Sequence, residues 1–439
     1  MKFYNRENEI SELGKIQERS LRNAQLTVLT GRRRIGKTHL LLQSNRTKPS
    51  LYFFVARKSE SFLCQDFQYE IEQKLGVKIF GELTSFGKLF EYLMIYSKKE
   101  PFTLIIDEFQ EFFQIAPSVY SEMQHYWDLH KDKSRINLIV CGSVVSLIHR
   151  IFENSNEPLF GRATSLIHIR PFKISVIKQI LTEHYQGWTN EDLLALYAFT
   201  GGVPKYIQMF MDSGAYSKEA MIDLMISENS LFIMEGKNIL VEEFGKEYAT
   251  YFTILSAIAR GENTRARIEA IVKREIGGYL TKLDRDFNLI SKSTPIFSKV
   301  ETKNVRYSIT DNFLTFWFRF IYKYSYMVEI GAFDELKDII MRDYNTFSGL
   351  ILERYFKSRI IEEKGITHIG GFWDRKGETE IDLISVNQLK KRAEFIEVKR
   401  NEDNINLSKL REKGYHFMNK TGELKDYKIK FKGLSLKNI

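Results

Sequence analysis

The sequence predicts an α/β fold whose first part is a parallel sheet covered by helices, and three observations carry that prediction. Short runs that are apolar on both faces recur through the first 170 residues. Helical segments separate them, as parallel strands joined by crossovers require. The first run also leads through a glycine-bounded loop into an apolar helix, the order of a strand–loop–helix unit.

Taken in order, Glu7–Leu21 spaces Ile10, Leu13 and Ile16 along one helical face. LTVLTG (Leu26–Gly31) reads as a buried strand. LYFFVA (Leu51–Ala56), FTLIID (Phe102–Asp107) and NLIVCG (Asn137–Gly142) repeat that form, and SLIHI precedes Arg170 and Pro171. From Pro171 to about Lys237 the pattern is helical, with a turn at Gly201-Gly202-Val203-Pro204. From about Tyr248 it reads as three helices, the third being Gly278–Ile290, and then a hairpin over Pro295–Thr310. That is the order of a winged helix-turn-helix. After an aromatic-rich helix around Phe313–Tyr326, a last α/β unit runs to the end. The expected division is an α/β core over 1–170, a helical lid over 171–240, a winged helix over 241–325 and a C-terminal α/β domain over 326–439.

Composition removes whole classes. Of 439 residues, 43% are hydrophobic and 28% charged, which excludes a disordered chain. No apolar run of about 18 residues exists to span a membrane. The polar start MKFYNRENEI lacks the pattern of a secretory signal. Two cysteines, Cys64 and Cys141, are too few for a disulfide scaffold, so a reducing, cytoplasmic location is expected. Eight histidines without metal-ligand spacing point away from zinc. A net charge of +9 is compatible with a polyanion such as DNA.

The chemistry concentrates first in Gly31-Arg32-Arg33-Arg34-Ile35-Gly36-Lys37-Thr38, which fits the Walker A pattern. Glycines let successive backbone N–H groups wrap phosphates at a helix N-terminus. Lys37 would reach the β- and γ-phosphates, and the Thr38 hydroxyl would bind Mg²⁺. In TLIIDEF, Asp107 would hold the same Mg²⁺, and Glu108 would polarise the attacking water. Ser143, just past the fourth run, stands where a polar γ-phosphate sensor belongs, although a serine there also suits a helix cap.

FYNRENEISEL, GRRRIGKT, IIDEFQEF, CGS, PLFGR and GGVPKY together resemble the archaeal-type ATPase family, found also in bacteria, of the AAA-like, STAND-related P-loop class. The resemblance extends over the whole chain, because members commonly add a winged helix and a restriction-endonuclease-like domain. It implies that Phe3–Arg6, Arg6 among them, flank the adenine of bound ATP. It also implies that Arg162 is a finger on the transferred phosphoryl group, acting within one chain or, in a homo-oligomer, on a neighbouring copy. A surface arginine is the alternative. Gly202-Val203-Pro204 would lie in lid helices near the nucleotide. Whether Arg32, Arg33 and Arg34 face phosphates, a second subunit or water stays open.

The last α/β unit holds a second constellation. EIDLIS (Glu380–Ser385) and AEFIEVKR (Ala393–Arg400) read as a hairpin. Alternation places Glu380 and Asp382 on one face of the first strand, and Glu397 and Lys399 on one face of the second. These residues resemble the Asp…Glu-x-Lys core of PD-(D/E)XK nucleases, with Ile381 standing before Asp382 where proline is common. Glu353, on the helix LILERYF, matches the acid that this fold often draws from its first helix. Asp382, Glu397 and Glu353 would hold Mg²⁺, and Lys399 would offset transition-state charge. A solvated ladder of cross-strand ion pairs is the competing reading. The resulting expectation is an ATP-hydrolysing switch or motor coupled to a DNA-associated nuclease-like domain. The alternative is a non-nucleolytic, ATP-dependent regulator that binds DNA or protein.

Overall fold

The computed structural model describes residues 2–46, 49–244, 247–299, 301–375 and 378–439, the side chains of 242 and 243 excepted. It divides into two compact units, residues 2–170 and 171–439.

The first unit is built on five parallel strands: β1 (Gln25–Thr30), β2 (Ser50–Phe54), β3 (Phe102–Asp107), β4 (Ile136–Cys141) and β5 (Ser165–His168). Their spatial order is β2-β3-β4-β1-β5. β1, β3 and β4 are buried along their whole lengths, which is why they read as unbroken apolar runs. One face packs on the helices Glu60–Leu75, Phe86–Tyr96 and Ser118–His130 through residues such as Phe67, Phe90 and Met123. The other face packs Leu29, Ile105 and Ile139 against Leu13, Leu40 and Leu41, which come from Glu7–Ser20 and Lys37–Ser44.

The second unit begins with the helices Ile174–His184, Asn190–Thr200, Pro204–Asp212, Lys218–Met225 and Leu231–Phe244. Gly201 ends one helix in the left-handed conformation and Pro204 opens the next, as turn chemistry requires. Three helices follow, Tyr248–Ala259, Arg265–Val272 and Gly277–Arg285, and then the antiparallel pair β6 (Ile290–Ser293) and β7 (Arg306–Ile309).

Two boundaries differ from the sequence reading. The third helix ends at Arg285, not Ile290, because Asn288 takes a left-handed φ of 51° and turns the chain into β6. The hairpin's first strand therefore starts at Ile290, and Pro295, which lacks an N–H for the ladder, lies in the connector.

A 30-residue helix, Phe333–Glu362, leads to a four-stranded sheet of order β11-β10-β9-β8. Its strands are β8 (His368–Trp373), β9 (Glu380–Asn387), β10 (Arg392–Val398) and β11 (Lys428–Leu434). β9 and β10 form the expected antiparallel hairpin, while β10 and β11 run parallel through the crossover helix Leu407–Thr421. Among the described residues no helix is long and apolar enough to cross a membrane.

Candidate functional site

The C-terminal ends of β1, β3 and β4 converge, as ligand sites of parallel sheets do. Gly31 leaves β1 so close to the exit segment after β5 that a Cβ there would lie 2.8 Å from the Ile169 carbonyl oxygen. Gly36 holds φ at 88° as the residue that opens the helix Lys37–Ser44. Only glycine meets both demands without strain. Arg34 also takes a positive φ, 67°, completing a loop whose backbone curls around one point. Arg32, Arg33 and Arg34 are half-buried in this loop, and Ile35 is buried in the core.

Inside the loop, Lys37 Nζ donates to the Gly31 carbonyl at 2.7 Å and to the Arg32 carbonyl at 3.2 Å. Burial pushes its pKa down, opposed by the charges of Asp107 and Glu108. Thr38 Oγ1 donates to Asp107 Oδ2 at 2.9 Å. A hydroxyl and a carboxylate oxygen this close are hard donors of the kind that Mg²⁺ takes alongside phosphate oxygens and water. The donor set therefore fits the ion.

Asp107 is also held by two groups that sequence reading missed. Tyr52 on β2 donates to Oδ2 at 2.5 Å, and the Cys141 thiol donates to Oδ1 at 3.0 Å. Burial raises both of their pKa values well above the ordinary range, so each stays a donor. The signal for Tyr52 was a hydroxyl-bearing residue inside the apolar run LYFFV. Cys141 gave none, since a buried cysteine passes for a small apolar residue.

Glu108 sits at φ 55°, a left-handed value unusual for a non-glycine residue and common where function demands it. Its Oε2 accepts from Ser143 Oγ at 2.8 Å, from Ser143 N at 3.3 Å and from Gln110 Nε2 at 2.5 Å. The structure thus brings Glu108 and Ser143 together, and adds Gln110, which is 1% exposed.

Two further candidates, Arg6 and Arg162, hold partners of their own. Arg6 is buried, with Nη2 donating to the carbonyls of Ile35 at 3.5 Å and Arg170 at 2.9 Å and Nη1 pairing with Glu9 at 2.9 Å. It braces the loop against the exit segment. Phe3, three residues before it, packs its ring 5.2 Å from that of His39. Arg162 pairs with Asp128 at 2.8 Å and donates to the Phe160 carbonyl at 3.0 Å. Its guanidinium is committed to that helix in this conformation.

In the second unit, Asp382 and Lys399 meet as expected, with Nζ 3.4 Å from Asp382 Oδ2 and 4.0 Å from Glu397 Oε1. Asp382 Oδ2 also accepts from Val398 N at 2.7 Å, and Glu397 Oε2 accepts from Asn406 N at 2.8 Å. Glu353 is half-buried near Asp382. Burial pushes its pKa up to about 8, Asp382 adds to the rise and Lys399 opposes it. Glu380 instead pairs with Arg306 at 2.6 Å. Among the described residues, no three His, Cys, Asp or Glu side chains form a group able to hold a metal. Any ion here would rest on Asp382 and Glu397 with water, a set that still suits Mg²⁺.

The connector between β6 and β7 is fastened to this sheet. Ile296 N donates to the Gly371 carbonyl at 2.9 Å. Asn304 and Trp373 exchange two hydrogen bonds of 3.0 Å, and Arg306 stacks 4.5 Å over the Trp373 ring.

Comparison with known proteins agrees with the fold that presents this site. Residues 3–210 match a family model described as an ATPase domain predominantly from Archaea. Residues 317–412 match one described as archaeal and bacterial proteins of unknown function. An uncharacterized protein of Methanocaldococcus jannaschii is 29% identical over 410 residues, covering 90% of this chain and 87% of that one. The solved Walker-type ATPase of Pyrococcus abyssi superposes with a TM-score of 0.54 at 21% identity, over 72% of this chain and 96% of its own. The Aeropyrum pernix ORC2 protein, solved in ADPNP–ADP complexes, gives 0.50 at 14%, over 78% and 96%. Both likenesses establish the fold.

Proposed function

We propose that the chain, whose residues 3–210 match the model of an ATPase domain predominantly from Archaea, hydrolyses ATP with Mg²⁺ and uses the cycle to control a DNA-associated site at Asp382, Glu397 and Lys399. The observation that carries the reading is the convergence of Lys37, Thr38, Asp107, Glu108 and Ser143 at one end of the sheet. The loop N–H groups and Lys37 bind the phosphates. Asp107 and Thr38 would hold Mg²⁺, which neutralises phosphate charge when bound. Glu108 orients the attacking water, and Ser143 links that carboxylate to the phosphate. Arg162 would act as a finger only after leaving Asp128.

The C-terminal constellation supports hydrolysis of a phosphodiester. Asp382 and Glu397 are the hard-oxygen pair, and Lys399 is the cation placed to offset charge on the scissile phosphate. A second reading, a non-nucleolytic regulator, is favoured by one observation. The β6–β7 connector, which would be the wing of a winged helix, bonds to β8 through Ile296 and Asn304, and Arg306 at the start of β7 pairs with Glu380 of β9. A wing so engaged packs rather than reads DNA.

The test is incubation with plasmid and linear DNA, with and without ATP, and with Mg²⁺ or Mn²⁺. Cleavage that Asp382→Ala abolishes while ATP turnover persists supports the nuclease reading. ATP turnover with no cleavage of any DNA form leaves the regulator.

A further inference from the structure

Resting on the ATP-dependent reading above, we infer that Arg400 is a positioning residue that ties the end of β10, where Lys399 faces Asp382, to the helix Asn190–Thr200. A shift of that helix is thereby handed to Lys399.

Arg400 directly follows Lys399 and bridges two other elements. Its Nη2 donates to Glu191 Oε2 at 2.6 Å and its Nη1 to Ser348 Oγ at 2.7 Å. The side chains of Arg400 and Glu191 are only 20% and 22% exposed, and Ser348 is fully buried. Glu191 lies in the first turn of its helix, where Thr189 and Asp192 form a reciprocal capping box, so it moves with the helix rather than apart from it. Ser348 belongs to Phe333–Glu362, the helix that carries Glu353. A planar, permanently charged fork can hold two acceptors on different elements at once; a lysine cannot hold both in fixed geometry. The joint walls a cleft of about 630 Å³ lined also by Asn345, Lys399, Asn401 and Lys437.

Further contacts fasten the helices Ile174–His184 and Asn190–Thr200 to the elements around this joint. Glu362 accepts from Ile174 N at 2.7 Å and Ser175 N at 3.2 Å, capping the helix Ile174–His184. Tyr197 OH lies 3.3 Å from Ser358 Oγ, and Asn190 donates to the Leu436 carbonyl at 3.0 Å. Phe172 N donates to the Gly202 carbonyl at 2.8 Å, and a Cβ on Gly202 would strike the Phe172 carbonyl, which accounts for glycine in the GGVP turn. Upstream in the sequence, Ile169 and Arg170 are the residues braced by Gly31 and Arg6. Contiguity alone does not establish coupling, so the test must read a ligand-dependent response.

The experiment is amide hydrogen exchange on the full chain with Mg²⁺, with and without a non-hydrolysable ATP analogue, with analogue affinity titrated in parallel. In the wild type the analogue should slow exchange across residues 397–406 severalfold. Arg400→Met should lose that response while binding the analogue as before. Arg400→Lys should lose most of it, which guards against a Met variant that fails to fold. The exchange of charges in Glu191→Arg with Arg400→Glu should restore it. The readout is exchange and not cleavage, so a C-terminal site without cleavage activity is not mistaken for lost coupling. A wild type that binds the analogue without change at 397–406, or an Arg400→Met response equal to wild type, overturns the inference. A chain that does not bind the analogue removes the ATP reading and the coupling together.

Discussion

At the scale of single residues, Glu108 carries the most information. Its left-handed backbone and three donors on one carboxylate oxygen fix its orientation. Glu108→Gln should keep nucleotide affinity and cut ATP turnover about 10²–10⁴-fold, the usual weight of a positioned general base. Isothermal titration and phosphate release check the two halves separately, and lost affinity in a folded variant would count against the role. The sequence showed Glu108 and Ser143 because each directly follows an apolar run. It did not show Gln110, whose contact depends on the short turn after β3.

Arg162 belongs to the same scale. If it serves only Asp128, then Arg162→Ala and Asp128→Ala should each lower stability by at most about 1 kcal/mol, as part-exposed ion pairs do, and leave turnover alone. If it is a finger, Arg162→Ala should lower turnover by about 10³-fold or more, and Asp128→Ala should not. Rescue on mixing Arg162→Ala with Lys37→Ala chains would show that the finger acts between copies.

At the scale of elements, the helix Phe333–Glu362 holds Glu353 half-buried beside Asp382 of the β9–β10 hairpin. Its folded pKa of about 8 lies above the ordinary glutamate value of about 4.3. The folded state therefore keeps a proton that the unfolded state releases. The resulting stability is complete below about pH 4 and is lost as pH rises toward 8. Glu353→Gln should flatten that dependence, so its thermal midpoint should exceed the wild-type value most clearly at pH 8 and above. Equal slopes for the two proteins between pH 5 and 8.5 would refute the burial argument.

The hairpin β6–β7 shows where element boundaries escape a sequence. Asn288 and Pro295 are both turn signals, and the chain uses the first as the entry to β6 and the second as part of the connector. The docking of that connector through Arg306, Trp373 and Asn304 is long-range and leaves no periodic trace. If packing is its role, Arg306→Ala should reduce thermal stability without weakening affinity for duplex DNA at ~50 mM salt, where phosphate contacts are strongest. A selective loss of DNA affinity would restore the DNA-reading wing.

For the whole molecule, the α/β class, the five strands and the nucleotide loop were legible because each is local: apolar runs, glycines at fixed spacing, carboxylates at a strand end. The strand order and the union of the helices after Pro171 with the C-terminal sheet were not, because distant pairs such as Arg400 with Glu191 create them. The central claim remains that Lys37, held on the loop carbonyls, is the phosphate ligand of an ATP-hydrolysing site. Steady-state ATP turnover by Lys37→Ala, in protein shown to be folded, tests it most directly. The account predicts that turnover vanishes and nucleotide affinity weakens; hydrolysis at the wild-type rate would contradict it.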